Sequence, residues 1–386
     1  MGFVKWLHKE GDTLNWLNYM DIVLVSQLPK LFERAVLERL LVRIETEKPA
    51  VARHAVAAVE GASGAGTHVL FVDFTCAPPV TFRTLVLTRL RRLGLRSGIV
   101  SAMWRSAYRP TSKCLNVAPG LSTNTIVRKI GFGEGRVLSP LLFVFVIDGL
   151  LCELRGRGLG ARVEGPGGGS SVWTGAAMLT DDLALVAKDD ADPRAMFELV
   201  LHRARRRRFA IAYKKTHLVR VGSGWERFVA SGEDGIDINW ASGDAHAAAH
   251  VYRRPKCECS AVYLGYVLHA SLSNAAHIER QLGMVYTAIE QTMATLAVTT
   301  SLRQEYLLAV YRLFVLLLLE YPIEVLGAIE PALAHRLDTA QRRCLALCAG
   351  RGGTFASNDT LHELPGEFET LQERRVRSRV RCSSVW

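Results

Sequence analysis

The chain has 386 residues, 49% of them hydrophobic and 22% charged, and its 48 Lys+Arg against 37 Asp+Glu give a formal charge of +11. That composition excludes a disordered chain and allows a buried core spread over two or three subdomains. The basic excess excludes a strongly acidic protein and favours a polyanionic partner, although a basic soluble protein without such a partner carries the same balance.

In chain order, Met1 to Trp6 is not followed by an uninterrupted apolar stretch, so no secretory leader is expected. Leu31 to Ile44 carries Leu37, Leu40, Leu41 and Ile44 at helical spacing. The glycine-rich stretch Gly61 to Gly66 ends that region before the apolar strand Val69-Leu70-Phe71-Val72, which terminates on Asp73. Thr84 to Leu95 is helical and basic. Ser139 is placed as the N-cap of a helix with Pro140 just inside it, so Leu141 to Leu154 is expected to be a buried helix behind a sheet. Gly165 to Gly169 reads as a hairpin loop, and Ala195 to Phe209 as an amphipathic helix whose end carries Arg205, Arg206, Arg207 and Arg208.

After the strand Tyr263 to Leu268 come three helical segments, Ala276 to Leu296, Gln304 to Leu319 and Ala332 to Cys348. The longest apolar run, Leu313 to Leu319, falls far short of the ~20 residues that span a bilayer, so no membrane partner is expected. The eight cysteines show no zinc-finger spacing. Cys257 and Cys259 form a lone pair that reads as bland rather than as a zinc site, and Cys344 and Cys348, one helical turn apart, read as core.

Chemistry concentrates in the acids. Asp181 and Asp182 stand at a predicted hairpin tip between Ala176-Ala177-Met178-Leu179 and Leu183-Ala184-Leu185-Val186, and Asp73 ends another apolar strand. A carboxylate at the end of a buried strand is expensive to desolvate unless cations or donors meet it, so three point to a divalent-metal site. Two such ions drive phosphoryl transfer. Asp-Asp is also a favoured turn dipeptide in its own right, and the arginine run is also what the macrodipole favours at any solvated helix end.

The order of segments around these acids resembles the reverse transcriptases of non-LTR (LINE-like) retrotransposons, in a degenerate or truncated form. The segments are YMDIVLVSQLPKLFERAVLERL (Tyr19 to Leu40), FVDF (Phe71 to Phe74), APPVTFRTLVLTRLRRLG, GFGEGRVLSPLLF (Gly131 to Phe143), LTDD (Leu179 to Asp182), YKKT (Tyr213 to Thr216), YLGYVL (Tyr263 to Leu268) and LDTAQRRCLALCAG (Leu337 to Gly350). Each is weak alone; together they cover most of the chain in the family's order.

The resemblance implies an α+β right-hand polymerase with an antiparallel palm sheet: partial fingers over 1–60, palm over 61–268 and a helical thumb and C-terminal region over 269–386. It implies an RNA-directed DNA polymerase in which Asp73, Asp181 and Asp182 are catalytic and hold Mg²⁺, with Mn²⁺ as a substitute. Phe74, Gly135 and Lys215 would contact the incoming deoxynucleoside triphosphate, and Arg205 to Arg208 the RNA template and DNA primer. The basic segment Arg374 to Arg381 is a second candidate for nucleic acid, and Tyr263 and Leu264 are expected in the core of a primer-grip strand. A nuclear or cytoplasmic location is expected: the resemblance implies nuclear action, but there is no import signal apart from the arginine runs. An endonuclease upstream of the polymerase, usual in such elements, is not expected in a chain starting at Met1.

Departures from the pattern open a second reading. Pro78-Pro79 replaces the Phe-Asp that screens the sugar 2′ position, Gly133-Glu134 replaces Pro-Gln, and Met20-Asp21 replaces Arg-Pro. The glycine-arginine segment expected ahead of Asp73 is missing, with Arg53 the one obvious substitute, whereas Arg136 is placed to offset the Glu134 charge. A noncatalytic nucleic-acid-binding relic of a retroelement therefore stands beside the polymerase.

Overall fold

The protein is described by a computed structural model that covers residues 2–8, 12, 19–24, 27, 30–38, 67–75, 81–92, 98, 101, 112–118, 121–122, 126–127, 131–132, 135–165, 169–179, 181–189, 192–207, 209–212, 215–230, 256–294, 304–321, 329–349, 371, 373–374 and 376–377. The chain divides into two compact units, Met1–Cys259 and Ser260–Trp386. Pro78-Pro79, Gly133-Glu134 and Arg53 lie outside the described residues.

The first unit is built on β3 (Thr67–Thr75), whose THVLFVDFT sequence is β-branched and aromatic enough to sit buried on both faces. Its neighbours are β9 (Ala176–Leu179), β10 (Asp182–Ala187), β11 (Ala210–Ile211), β12 (His217–Val221) and β13 (Lys256–Cys257). The strand order is β13-β12-β3-β10-β9, with β11 pairing the end of β3. All pairings are antiparallel except that of β12 with β13.

One face of this sheet takes Leu70, Val72 and Phe74 from β3 and Leu183 and Leu185 from β10. They pack against α2 (Arg83–Arg92), α3 (Ser139–Gly156) and α4 (Asp192–Arg207), through residues such as Leu90, Phe143, Leu150, Phe197 and Val200. A second sheet in this unit joins β1 (Gly2–His8), β2 (Tyr19–Leu24), β4 (Ser112–Ala118), β5 (Leu121–Ser122) and β6 (Ile126–Val127), in the order β2-β1-β4-β5 with β6 on β4; β7 (Arg162–Gly165) and β8 (Gly169–Trp173) pair as a separate hairpin, and the short helix α5 (Trp225–Ala230) follows β12. Residues 30–38 are helical and form α1, the described part of the Leu31 to Ile44 expectation.

The expected Ser139 cap is replaced by another device. Leu138 is the N-cap, without a side-chain cap bond, and Ser139 is already helical. The backbone N–H groups just ahead of the helix are met instead by Glu33 on α1: Val137 N–H and Leu138 N–H donate to its Oε2 at 3.0 and 3.4 Å. Arg136 Nε donates to Glu33 Oε1 at 2.7 Å. Glu33 is fully buried and Arg136 nearly so. Arg136 is thus committed to a carboxylate inside the fold, while Glu134, whose charge it was expected to offset, lies outside the described residues.

At its other end α3 closes in a Schellman motif, with Leu159 N–H to Leu154 O at 3.1 Å, Gly158 N–H to Arg155 O at 3.1 Å and Gly158 at φ +69°. Two residues on, Gly160 has φ +95°, and a Cβ there would lie 2.6 Å from Gly175 Cα. Trp173 Nε1 donates to Leu159 O at 2.8 Å, and the buried Asp192 carboxylate accepts from Gly160 N–H at 3.1 Å and Lys188 N–H at 3.2 Å. These bonds leave the backbone no room to retreat. Gly160→Ala is expected to cost on the order of 3 kcal/mol, from the left-handed backbone plus the clash. Chemical denaturation measures it, and a loss below ~1 kcal/mol would show that the junction yields.

The second unit opens with the hairpin β14 (Ser260–Tyr263) and β15 (Tyr266–His269). The segment expected as one strand, Tyr263 to Leu268, is therefore split between the two strands by a turn, with Leu264 at φ +49° and Gly265 at φ +82° at its tip. Tyr263 and Leu264 are half-buried, and the core positions fall instead to Ala261, Val267 and Leu268.

The helices follow as α6 (Ala275–Ala288, extended by a π turn Ile289–Ala294), α7 (Gln304–Val310, a π turn Tyr311–Val315, then Leu316–Glu320) and α8 (Pro331–Cys348). Ile278, Val285, Tyr311, Val315, Leu337 and Cys344 share one core. The buried Gln281 amide donates to Leu318 O, Leu319 O and Tyr321 O at 2.6, 3.0 and 2.6 Å, meeting the carbonyls that the end of α7 leaves open. Cys344 and Cys348 are buried, as expected of core residues. Among the described residues no helix is long and apolar enough to cross a membrane.

Candidate active site

The site lies where β10 begins, beside the C-terminal end of β3. The antiparallel register sets Asp182 directly opposite Asp73, then Leu183 opposite Val72 and Ala184 opposite Phe71. Directly opposed residues share a face with Cβ atoms about 4.5–5.5 Å apart, where like charges repel. Because Leu183 and Val72 turn into the helix-covered core, period-two alternation turns Asp182 and Asp73 to the other face. Asp181 occupies the turn between β9 and β10, so the hairpin expected around LTDD is present.

A cation accompanies the acids. Ala212 N–H donates to Asp73 O at 2.8 Å, and Lys215 N–H to Ala212 O at 2.9 Å, a tight turn after β11. This brings Lys215 Nζ to 3.9 Å from Asp73 Oδ2, with the lysine side chain 62% exposed and the aspartate 21%. The distance is that of an ion pair, not a short hydrogen bond.

Asp182 carries the electrostatic signature. Burial, then the neighbouring Asp181 charge, holds its carboxyl above the usual aspartate range, and Lys215 partly opposes them. The folded chain therefore keeps this proton over a pH interval in which the unfolded chain has lost it. Stability falls as pH rises through that interval and remains lower above it. Asp182→Asn is expected to raise the urea midpoint at pH 7, with the gain vanishing below the ordinary aspartate range, where wild type is protonated too. An equal midpoint at pH 7 would remove the strain argument.

The donor set suits a hard divalent cation: carboxylate oxygens, with two acids facing one another. Among the described residues no three His, Cys, Asp or Glu side chains converge into a finished cage. Mg²⁺ does not require one, since it keeps several waters and is held by one or two carboxylates plus substrate phosphates.

The remaining expected site residues fall in different places. Phe74 is one residue past Asp73 and so faces the other way: it is 2% exposed, in the core, with its ring 6.1 Å from that of Phe209. The expected substrate contact is corrected to a packing role by strand alternation. Gly135 is exposed at φ +83°, which a glycine adopts without strain, and it leads directly into the Arg136–Glu33 pair.

In the arginine run, Arg206 is exposed and Arg205 half-buried, while Arg208 lies outside the described residues. Arg207 is turned inward and donates to Val146 O; burial, and then the charges of Arg203, Arg89 and Arg206, lower its pKa. Its expected contact with nucleic acid is corrected to an internal bond. The run still leads to the end of β3 that bears Asp73, because Ala210 pairs with Thr75.

Glu33 is the residue the sequence reading passed over. It was visible as a charge on an otherwise apolar helical face, at i−3 and i−4 from Val36 and Leu37. Arg83 is a second: it is buried and donates from Nε to Gly131 O at 2.8 Å, while Gly131 N–H donates to Thr81 O at 2.8 Å. These bonds tie the start of α2 to the GFGEG loop.

No protein-family model matches the chain. It is 27% identical over 172 residues to the retrovirus-related Pol polyprotein from type-1 retrotransposable element R2 of Popillia japonica, a match covering 40% of this chain and 24% of that protein. The matched region thus spans about a quarter of the curated relative. Among solved structures, the chain is similar in fold to the apo telomerase of Candida tropicalis, with a TM-score of 0.50 at 8% identity, covering 98% of this chain and 62% of that one. An antiparallel sheet backed by helices, that fold likeness and the likeness in sequence to a retrotransposon Pol protein make the chain a reverse-transcriptase-like protein with an α+β polymerase fold.

Proposed function

We propose that the chain is an RNA-directed DNA polymerase of a non-LTR retrotransposon, extending a primer 3′-hydroxyl with deoxynucleoside triphosphates on an RNA template. The observation that carries this reading is the register of β3 and β10, which sets Asp182 against Asp73 beside Asp181 in the turn. Asp73, Asp181 and Asp182 would hold Mg²⁺, or Mn²⁺ in its place, which when bound polarises the phosphoryl oxygens and lowers the pKa of the attacking hydroxyl.

The chain's own residues do the rest. The two facing carboxylates orient the reacting groups at the end of the two central strands, and the raised proton affinity of Asp182 is relieved when a cation neutralises the cluster. Lys215, on its exposed stem beside Asp73, would meet a triphosphate or donate a proton to departing pyrophosphate. The charge of +11 supports binding of template and primer, with Arg206 the exposed arginine among the described residues of the run.

The test is primer extension on an RNA template in Mg²⁺ and in Mn²⁺, beside Asp181→Asn/Asp182→Asn. Extension by wild type alone supports the polymerase. Silence from both proteins, with salt-dependent binding of template-primer retained, assigns the chain to the noncatalytic relic.

A further inference from the structure

The second unit exposes a continuous apolar stripe that the polymerase reading does not use. On α7, Tyr306, Leu313, Phe314 and Leu317 are 58, 64, 58 and 60% exposed, and Tyr321, the C-cap residue whose hydroxyl donates to Leu264 O while its ring lies against Gly265, is 49% exposed. Val310 lies half-buried among them, while Leu307, Leu308, Tyr311, Val315, Leu316 and Leu319 fill the core on the opposite side. A helix apolar on both faces is covered on both in its working state.

We propose that this face binds a second copy of the chain, with two α7 helices pairing antiparallel about a two-fold axis between Leu313 and Phe314. The stripe is self-complementary about that point: Tyr306 is placed opposite Tyr321, Val310 opposite Leu317 and Leu313 opposite Phe314. The spacing is common to apolar helical stripes, but here the residue types follow the same symmetry, tyrosine at both ends, aliphatic inside and Leu-Phe at the centre. A two-fold interface has that property because each residue meets its counterpart's partner in reverse. The π turn Tyr311–Val315 is itself centred on Leu313, so the local widening of the helix falls at the axis.

Size and chemistry agree with this occupant. The exposed side chains offer on the order of 600 Å² per copy, near the ~800 Å² per partner of a standard interface. A nucleic-acid backbone would require cations along the stripe, and none of its six residues is charged. The paired state is weak, with a dissociation constant on the order of 1–100 µM, because the area is at the low end for stable complexes.

Sedimentation of the full chain, free of nucleic acid, over ~1–100 µM tests this. The expected result is a monomer–dimer equilibrium that Leu313→Glu or Leu317→Glu weakens at least tenfold without lowering the melting temperature. Geometry is tested separately by oxidation of Val310→Cys/Leu317→Cys. The double variant forms a covalent dimer faster than wild type, whereas either single variant does not, because seven residues of helix separate like positions by ~10 Å along the axis, beyond disulfide reach. Wild type that remains monomeric at the highest concentration, a dimer indifferent to Leu313→Glu, or single cysteines that cross-link as well as the pair would each overturn the proposal. A monomer whose stripe captures a different protein or a lipid vesicle would do so as well.

Discussion

Glu33→Ala is expected to destabilise the first unit by about 3–5 kcal/mol, the range for removing one partner of a buried ion pair. The substitution leaves the nearly buried Arg136 guanidinium without its carboxylate. It also removes the acceptor for Val137 N–H and Leu138 N–H, ahead of α3. Each unmet buried donor adds roughly 1–3 kcal/mol, and these terms overlap rather than add. Against a total stability of ~5–15 kcal/mol, much of the margin goes.

The cost belongs to the orphaned charge more than to the lost attraction, which gives the experiment a second arm. Glu33→Met combined with Arg136→Leu removes both ions and is expected to be less destabilising than Glu33→Ala alone. Urea unfolding of Glu33→Met, Arg136→Leu and the double variant closes the cycle. A Glu33→Ala loss under ~1 kcal/mol, or strict additivity in the cycle, would mean that the pair is not the clamp between α1 and α3.

For Asp181→Asn/Asp182→Asn the expected result is a fall in primer extension by on the order of 10³-fold or more. Charge neutralisation at a phosphoryl-transfer centre contributes several kcal/mol, and each ~1.4 kcal/mol is tenfold in rate. Binding of template-primer should change little, since the substitutions remove anions from a basic protein. Stability should not fall either, because Asp182 is strained by burial and by Asp181 in the wild type. A variant that loses extension yet unfolds no more easily has lost chemistry and not structure. Retention of even a tenth of wild-type extension would remove these acids from the mechanism.

Some of this was legible in the amino-acid order and some was not. The strand bearing Asp73, which runs on to Thr75 rather than ending on the acid, the hairpin bearing Asp181 and Asp182, and the helix over Leu141 to Leu154 are all present, because apolar runs bounded by turn residues report burial locally. The Tyr263 to Leu268 segment misled because its apolar run hides Leu264 and Gly265 in left-handed backbone. Phe74 was assigned by its place in FVDF, although one step along a strand reverses the face. Arg207 belonged to a run that looked uniformly solvated, and only the neighbouring carbonyl of Val146 sets it apart from Arg206.

By itself, then, the sequence determined the carboxylate set, the basic balance, the order of elements and the polymerase-like class, since each rests on local pattern or composition. Tertiary structure alone decided that Asp182 stands opposite Asp73, that Lys215 reaches Asp73, and that Glu33 and Arg136 are partners 103 positions apart. Register, ion pairing and burial depend on which distant segments meet, and no local window contains both sides of such a contact.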